Sequence, residues 1–368
     1  MLFVLLVPGC AQKGPMEIGT IFYPDPPQQP RIQYLYTLVS ESDIGAEKSK
    51  FEEFLLGPDI QFEGVIRPYD ISSSKGKIYV IDRNYNRVFY FDIENKKLEY
   101  IRDLFNPESK ILYPGGIWVT PDDIKYVSDL ERKQILVFDA DNKYMGAFGD
   151  AAVFDKPVDL AVYADKIYVC DLGKHQILVL NRISGQLIGT IGGPGDDKDD
   201  QFNRPTHVTV DSRGNIYVTD AFHFAVKKFD PNGKFLQSYG QAGDVPGTFA
   251  RPKGVAVDNE GNFYVVDAAT EVVQIFNHEG RLLLDFGYPG TEIHNLWLPA
   301  GISIDYDNID YFQNFAHPDF KVQYLIYIAN MAGPGRTNVY GFGEWTGGQQ
   351  RLDQMTPPDE PAPEQKQP

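Results

Sequence analysis

Short runs of apolar, β-branched and aromatic residues recur along this chain, separated by breaks rich in Gly, Asn and Asp. From Thr206 onward the runs are Thr206–Asp211, Ile216–Asp220, Ala225–Asp230 and Lys234–Tyr239, with the turns Ser-Arg-Gly-Asn after the first and Pro-Asn-Gly after the third. Such residues suit a pleated, half-buried surface, and such breaks suit tight turns. The pattern therefore predicts four short strands rather than helices.

The same pattern is met six times. Each unit opens on a proline (Pro68, Pro114, Pro157, Pro205, Pro252 and Pro299) and reaches a Tyr-Val-x-Asp-like tetrad. The tetrads end at Asp82, Asp129, Asp171, Asp220, Asp267 and, degenerately, Asn330. In the first five units a third run ends ten residues further on, at Asp92, Asp139, Asn181, Asp230 and Asn277. The period, about 42 to 48 residues with a longer last unit, marks one supersecondary unit repeated. Four antiparallel strands per unit, arranged radially, make the blades of a β-propeller, so the expected fold is all-β with six blades. The last unit lacks a clear fourth strand, whereas Arg31–Leu38 is an apolar run with no unit of its own. That run is expected to complete blade six, closing the ring and removing an exposed sheet edge.

Arg204-Pro-Thr-His-Val-Thr-Val-Asp-Ser-Arg-Gly-Asn-Ile-Tyr-Val-Thr-Asp220 and Arg251-Pro-Lys-Gly-Val-Ala-Val-Asp-Asn-Glu-Gly-Asn-Phe-Tyr-Val-Val-Asp267 resemble the NHL repeat. The resemblance covers roughly residues 60 to 345 and implies a six-bladed propeller. It specifies fold well and function poorly, because propellers of this kind include binding modules, sensors and a few enzymes. The amidating lyase sharing the NHL fold has zinc-binding His directly after the blade proline. Here those positions hold Tyr69, Gly115, Val158, Thr206, Lys253 and Ala300, which disfavours that activity.

Leu2–Val7 is apolar, and Val7-Pro-Gly-Cys10 resembles the lipobox at which bacterial lipoprotein signal peptides are cleaved and the cysteine lipidated. Residues 1–10 are read as signal peptide, 11–30 as a proline-rich linker, 31–348 as the propeller and 349–368 as a disordered proline-rich tail. Ala11 after the cysteine leans the resemblance toward an outer-membrane lipoprotein of the cell envelope, held by its lipid alone. With Cys10 lipidated, Cys170 has no disulfide partner and reads as a buried structural thiol. A Cys-x-x-Cys-His motif is absent, so no haem is expected. The net charge of −17 argues against nucleic acid as a partner.

Chemistry is expected where the blades converge. The residues two after each proline are Asp70, Gly116, Asp159, His207, Gly254 and Gly301. Asp70, Asp159 and His207 are thus candidate channel ligands for calcium or zinc. The alternative is that each bonds a neighbouring strand. The tetrad acids recur in nearly every blade, as a structural role requires. The loops after them carry Arg83, Arg87, Arg132, Lys133, Lys174, His175, Phe222, His223 and Phe224, a candidate face for an envelope partner. An aromatic insertion, Tyr306–Phe315, lies between the first two strands of blade six, on the opposite disc face. The expected function is a non-catalytic scaffold that binds another envelope protein or a ligand, the alternative a divalent-metal-dependent hydrolase or lyase of the lactonase or esterase kind.

Overall fold

The computed structural model describes residues 20–45, 64–195 and 198–355; the lipobox, Cys10, the first part of the linker and most of the tail lie outside them. Six antiparallel sheets surround a central channel. Blade one comprises Pro68–Ser74, Lys77–Asp82, Arg87–Asp92 and Lys97–Tyr100. Blades two to five repeat it, starting at the strands Pro114–Val119, Pro157–Tyr163, Pro205–Val210 and Pro252–Val257. Each innermost strand packs against the next around the whole ring, blade six returning to blade one.

One register feature recurs in all six blades and positions the site. The opening proline faces the tetrad acid or Asn330 across the first two strands, and the pairing shifts immediately afterwards. Such a bulge bends the strand and re-aims the side chains that follow. The third-strand acids and amides close the next turn: Asp230, for example, accepts the N–H groups of Asn232 and Lys234. The tetrad tyrosines Tyr79, Tyr168, Tyr217, Tyr264 and Tyr327 are fully buried between blades. Each such ring contributes about 1.5–3 kcal/mol of apolar burial. Most keep the hydroxyl bonded at the opposite disc face, as Tyr327 does to Asp305 Oδ2 at 2.9 Å.

Blade six consists of Pro299–Asp305, Phe320–Asn330 and Thr337–Trp345, completed by Ile32–Leu38 from the front of the chain. The closing register runs from Ile32 opposite Phe342 to Leu38 opposite Thr337. Phe22–Tyr23 adds a fifth strand, so the segment read as spacer is built into the disc at its C-terminal end. The cause is aromatic packing: Phe22 lies 5.6 Å from Phe320 and 5.7 Å from Trp345, centroid to centroid. The tail likewise starts as a helix, Gln349–Met355, because Leu352 buries completely and Met355 packs on the same core. In the blade-six insertion, Phe312 is buried against Tyr327, and Asn308 accepts from Gly76 N and donates to Ser74 O. The insertion thus locks blade six to blade one.

Candidate functional site

The tetrad acids are staples. Asp82 accepts four backbone N–H groups, from Ile66, Arg67, Asn84 and Tyr85 at 2.6–3.0 Å. Asp129, Asp171 and Asp267 do the same for the segment entering their blade and for their own following turn. A carboxylate filled by four donors holds two loops at fixed separation and has no acceptor capacity left for chemistry. Blade four departs: Asp220 bonds Asn203 N, but also His223 Nδ1 at 2.6 Å and Lys227 Nζ at 3.3 Å.

The channel holds a cavity of about 170 Å³ lined by the innermost strands of all six blades. Asp70, Asp159 and His207 all reach it, as the spacing predicts. They do not come together as ligands: among the described residues no group of three or more His, Cys, Asp or Glu side chains is placed to hold a metal ion. The set therefore does not fit calcium or zinc. Instead Asp70 Oδ2 accepts from Ile117 N of blade two, and Asp159 Oδ2 from Val208 N of blade four, each at 2.8 Å. The glycines beside the two acids of this ring have a steric cause. A Cβ on Gly116 would stand 2.2 Å from Asp159 Oδ1, and one on Gly301 2.6 Å from Asp70 Cα. Burial drives the Asp70 pKa up to about 6, and burial plus the charge of Asp70 holds the Asp159 carboxyl well above its ordinary range. Burial, then Lys253 and Arg83, lower His207 to about 3, so its imidazole is neutral.

Above this floor the channel mouth is basic and aromatic. The Arg83 guanidinium lies 3.7 Å from the Tyr69 ring centroid and 4.7 Å from that of Tyr113, while Lys253 Nζ stands 5.0 Å from Tyr69. The His207 imidazole stacks on Tyr69 at 6.2 Å from below. Burial, followed by Arg251, Arg83 and Arg67, lowers the Lys253 pKa to about 8.

Comparison with known proteins agrees with this architecture. No family model matches the chain. It is 30% identical over 119 residues to peptidylglycine alpha-amidating monooxygenase of Rattus norvegicus, which covers 30% of this chain and 12% of that protein. It is 29% identical over 112 residues to the probable peptidyl-alpha-hydroxyglycine alpha-amidating lyase pgal-1 of Caenorhabditis elegans, covering 29% of this chain and 31% of that one. The chain thus spans less than a third of either relative. Among solved structures, the gluconolactonase XC5397 of Xanthomonas campestris superposes with a TM-score of 0.55 at 14% identity, over 84% of this chain and 89% of that one. This chain has an NHL-like six-bladed β-propeller fold.

In this NHL-like propeller the loops read as a partner face divide into two groups. Several clasp the segments entering neighbouring blades. Arg132 Nη1 donates to the carbonyls of Glu108 and Lys110, and Lys133 pairs with Asp155 at 3.1 Å. Lys174 Nζ donates to the Val153 carbonyl, and His175 Nδ1 lies 3.3 Å from both Phe202 O and Arg204 N. His223 belongs to the Asp220 network, and Phe224 packs on the core between blades four and five. Arg87 leans on Tyr100, 4.3 Å from its centroid, and Phe222 is 51% exposed beneath the Arg204 guanidinium. Arg83 alone of the nine reaches the channel mouth. Its companions Arg67, Tyr69, Arg251 and Lys253 were not singled out as site residues from the sequence. The available signal was the recurrence of a base immediately before the blade proline, at Arg67, Lys156, Arg204 and Arg251. Cys170 is a buried free thiol whose pKa burial pushes up, an inert core residue.

Proposed function

We propose that this chain is a lipid-anchored module of the bacterial cell envelope that recognises a partner or ligand on its disc face and performs no bond chemistry of its own. The observation that carries this reading is the use made of the channel acids: Asp70 and Asp159 each bond the backbone of the adjacent blade through one carboxylate oxygen. A rigid disc with loops clasped in place suits recognition by display, which needs a fixed surface more than a mobile one. The anchor reading rests on the lipobox-like Val7-Pro-Gly-Cys10. Consistent with lipid-only attachment, no helix among the described residues is long and apolar enough to cross a membrane.

The alternative is a metal-dependent lyase or lactonase acting in the channel; one relative is named a lyase. A direct assay separates the two. The purified chain is offered lactones, aryl esters and peptidyl-α-hydroxyglycine substrates with added calcium or zinc, and no turnover above buffer is expected. Turnover abolished by Asp70→Asn would replace recognition with catalysis. The anchor is tested by labelling cells with a radioactive fatty acid: incorporation is expected in the wild type and lost in Cys10→Ser, and an unlabelled wild type refutes it.

A further inference from the structure

Four bases meet at the channel mouth with no carboxylate paired directly to them. Arg67 and Arg83 come from blade one, Arg251 and Lys253 from blade five, and the three guanidiniums act electrostatically on the Lys253 amine. Among the described residues none of the four has a carboxylate at ion-pair distance. Among the described residues the hydrogen-bond partner of Lys253 Nζ is the Met331 thioether, a soft acceptor, at 3.8 Å. On a chain of net charge −17, like charges gathered without counter-ions raise the energy of the fold unless an anion joins them.

Two further features point inward. Arg83 has both Tyr69 and Tyr113 against its guanidinium, and its Nε is buried with no hydrogen-bond partner. A stacked guanidinium has its N–H edge left for bonding, the edge that matches a two-oxygen acceptor. His207, 4% exposed and lining the cavity, has an unpartnered Nδ1. Buried polar atoms without partners are costly and rare, and two of them flank one aromatic ring here.

We propose that the channel mouth is a binding site for a small organic carboxylate, with its oxyanion taken by the Arg83 guanidinium and the Lys253 ammonium and its body lying against the partly exposed Tyr113 ring. A monoanion is favoured over a phosphate dianion because the buried Asp70 carboxyl already lies in the field of Arg83. The site stands whether the propeller recognises a partner or turns over a substrate, so its test is separate from the assay of turnover.

The test is isothermal titration of the full 368-residue chain with benzoate, acetate and inorganic phosphate, in a buffer free of competing oxyanions. Saturable benzoate binding is expected, weakened about tenfold or more in Arg83→Gln and in Lys253→Met, as loss of a charge-assisted hydrogen bond implies. A second measurement uses the wild type alone, free of any folding defect: benzoate is expected to slow acylation of Lys253, read by peptide mass spectrometry. Absence of saturable benzoate binding, undiminished binding in both variants, or unprotected Lys253 at saturation overturns the site. Phosphate binding tighter than benzoate overturns the carboxylate class.

Discussion

Asp82 and Arg83 are neighbours in the chain and opposites in use. The carboxylate of Asp82 is saturated by four backbone donors, and the same saturation recurs at Asp129, Asp171 and Asp267. The guanidinium next to it packs on two tyrosine rings and leaves Nε unbonded. The position after the tetrad acid elsewhere holds Leu130, Leu172, Ala221, Ala268 and Met331. What recurs in most blades supports the ring, and what one blade has alone is available for another task. The channel floor and mouth repeat the contrast: Asp70 and Asp159 bridge blades, whereas Lys253 and Arg83 bridge nothing charged.

If that division holds, damage to the repeated features should cost stability and damage to the unique ones should not. Deleting residues 31–38 removes the strand that completes blade six, and the expected outcome is loss of the cooperative thermal transition altogether; an unchanged melt refutes closure by that strand. Next in size, Asp82→Ala leaves several buried N–H groups unpaired and should destabilise by about 3 kcal/mol or more in urea unfolding. Arg83→Gln, at the adjacent position, should stay within about 0.5 kcal/mol of wild type in the same measurement. Equal losses at both positions would erase the distinction between them.

The floor gives a pH-dependent version of the comparison. In the folded protein Asp70 has its pKa raised to about 6 by burial, so between its unfolded value of 3.8 and about 6 the native state binds more protons. The Asp70 contribution to stability therefore falls as pH rises through that window. Asp70→Asn keeps an acceptor for Ile117 N without the charge, so the difference in Tm between variant and wild type should move in favour of the variant from pH 4 to pH 8. A pH-independent difference would show that Asp70 titrates normally. His207 has its pKa lowered to about 3, and its contribution runs the other way, rising with pH from about 3 to its unfolded 6.5. His207→Gln should thus relieve wild-type acid sensitivity in melts near pH 4. The smallest effect is expected at Phe222→Ala, a half-exposed ring whose loss should leave Tm unchanged.

Much of this architecture is legible in the sequence because the repeat is written into backbone-directing residues. Proline, the Tyr-Val-x-Asp tetrad and the Asn-Gly turns each fix a local geometry, and six copies leave little choice of fold. Closure by Arg31–Leu38 followed from counting strands. The packing of Phe22 and Leu352 did not, since both sit in proline- or glutamine-rich surroundings whose composition resembles that of linkers. The site was harder for a different reason. Asp70, Asp159 and His207 were found by position, but whether convergent residues ligate a metal or one another's backbone depends on the bulge after each proline. The mouth was missed because its bases lie on blades one and five, 184 residues apart for Arg67 and Arg251, and only the closed ring brings them together.

Pairing Ile32 with Phe342 joins the front of the propeller to its last blade. Contacts of such sequence separation form slowly, because a long loop must be ordered before they are gained. Blades one to five can pair internally while the chain is still being synthesised, but the disc has an open edge until blade six emerges. In that interval the unpaired edges of Ile32–Leu38 and Thr337–Trp345 are accessible to other chains. Assembly of this protein is therefore sensitive to anything that delays the final blade.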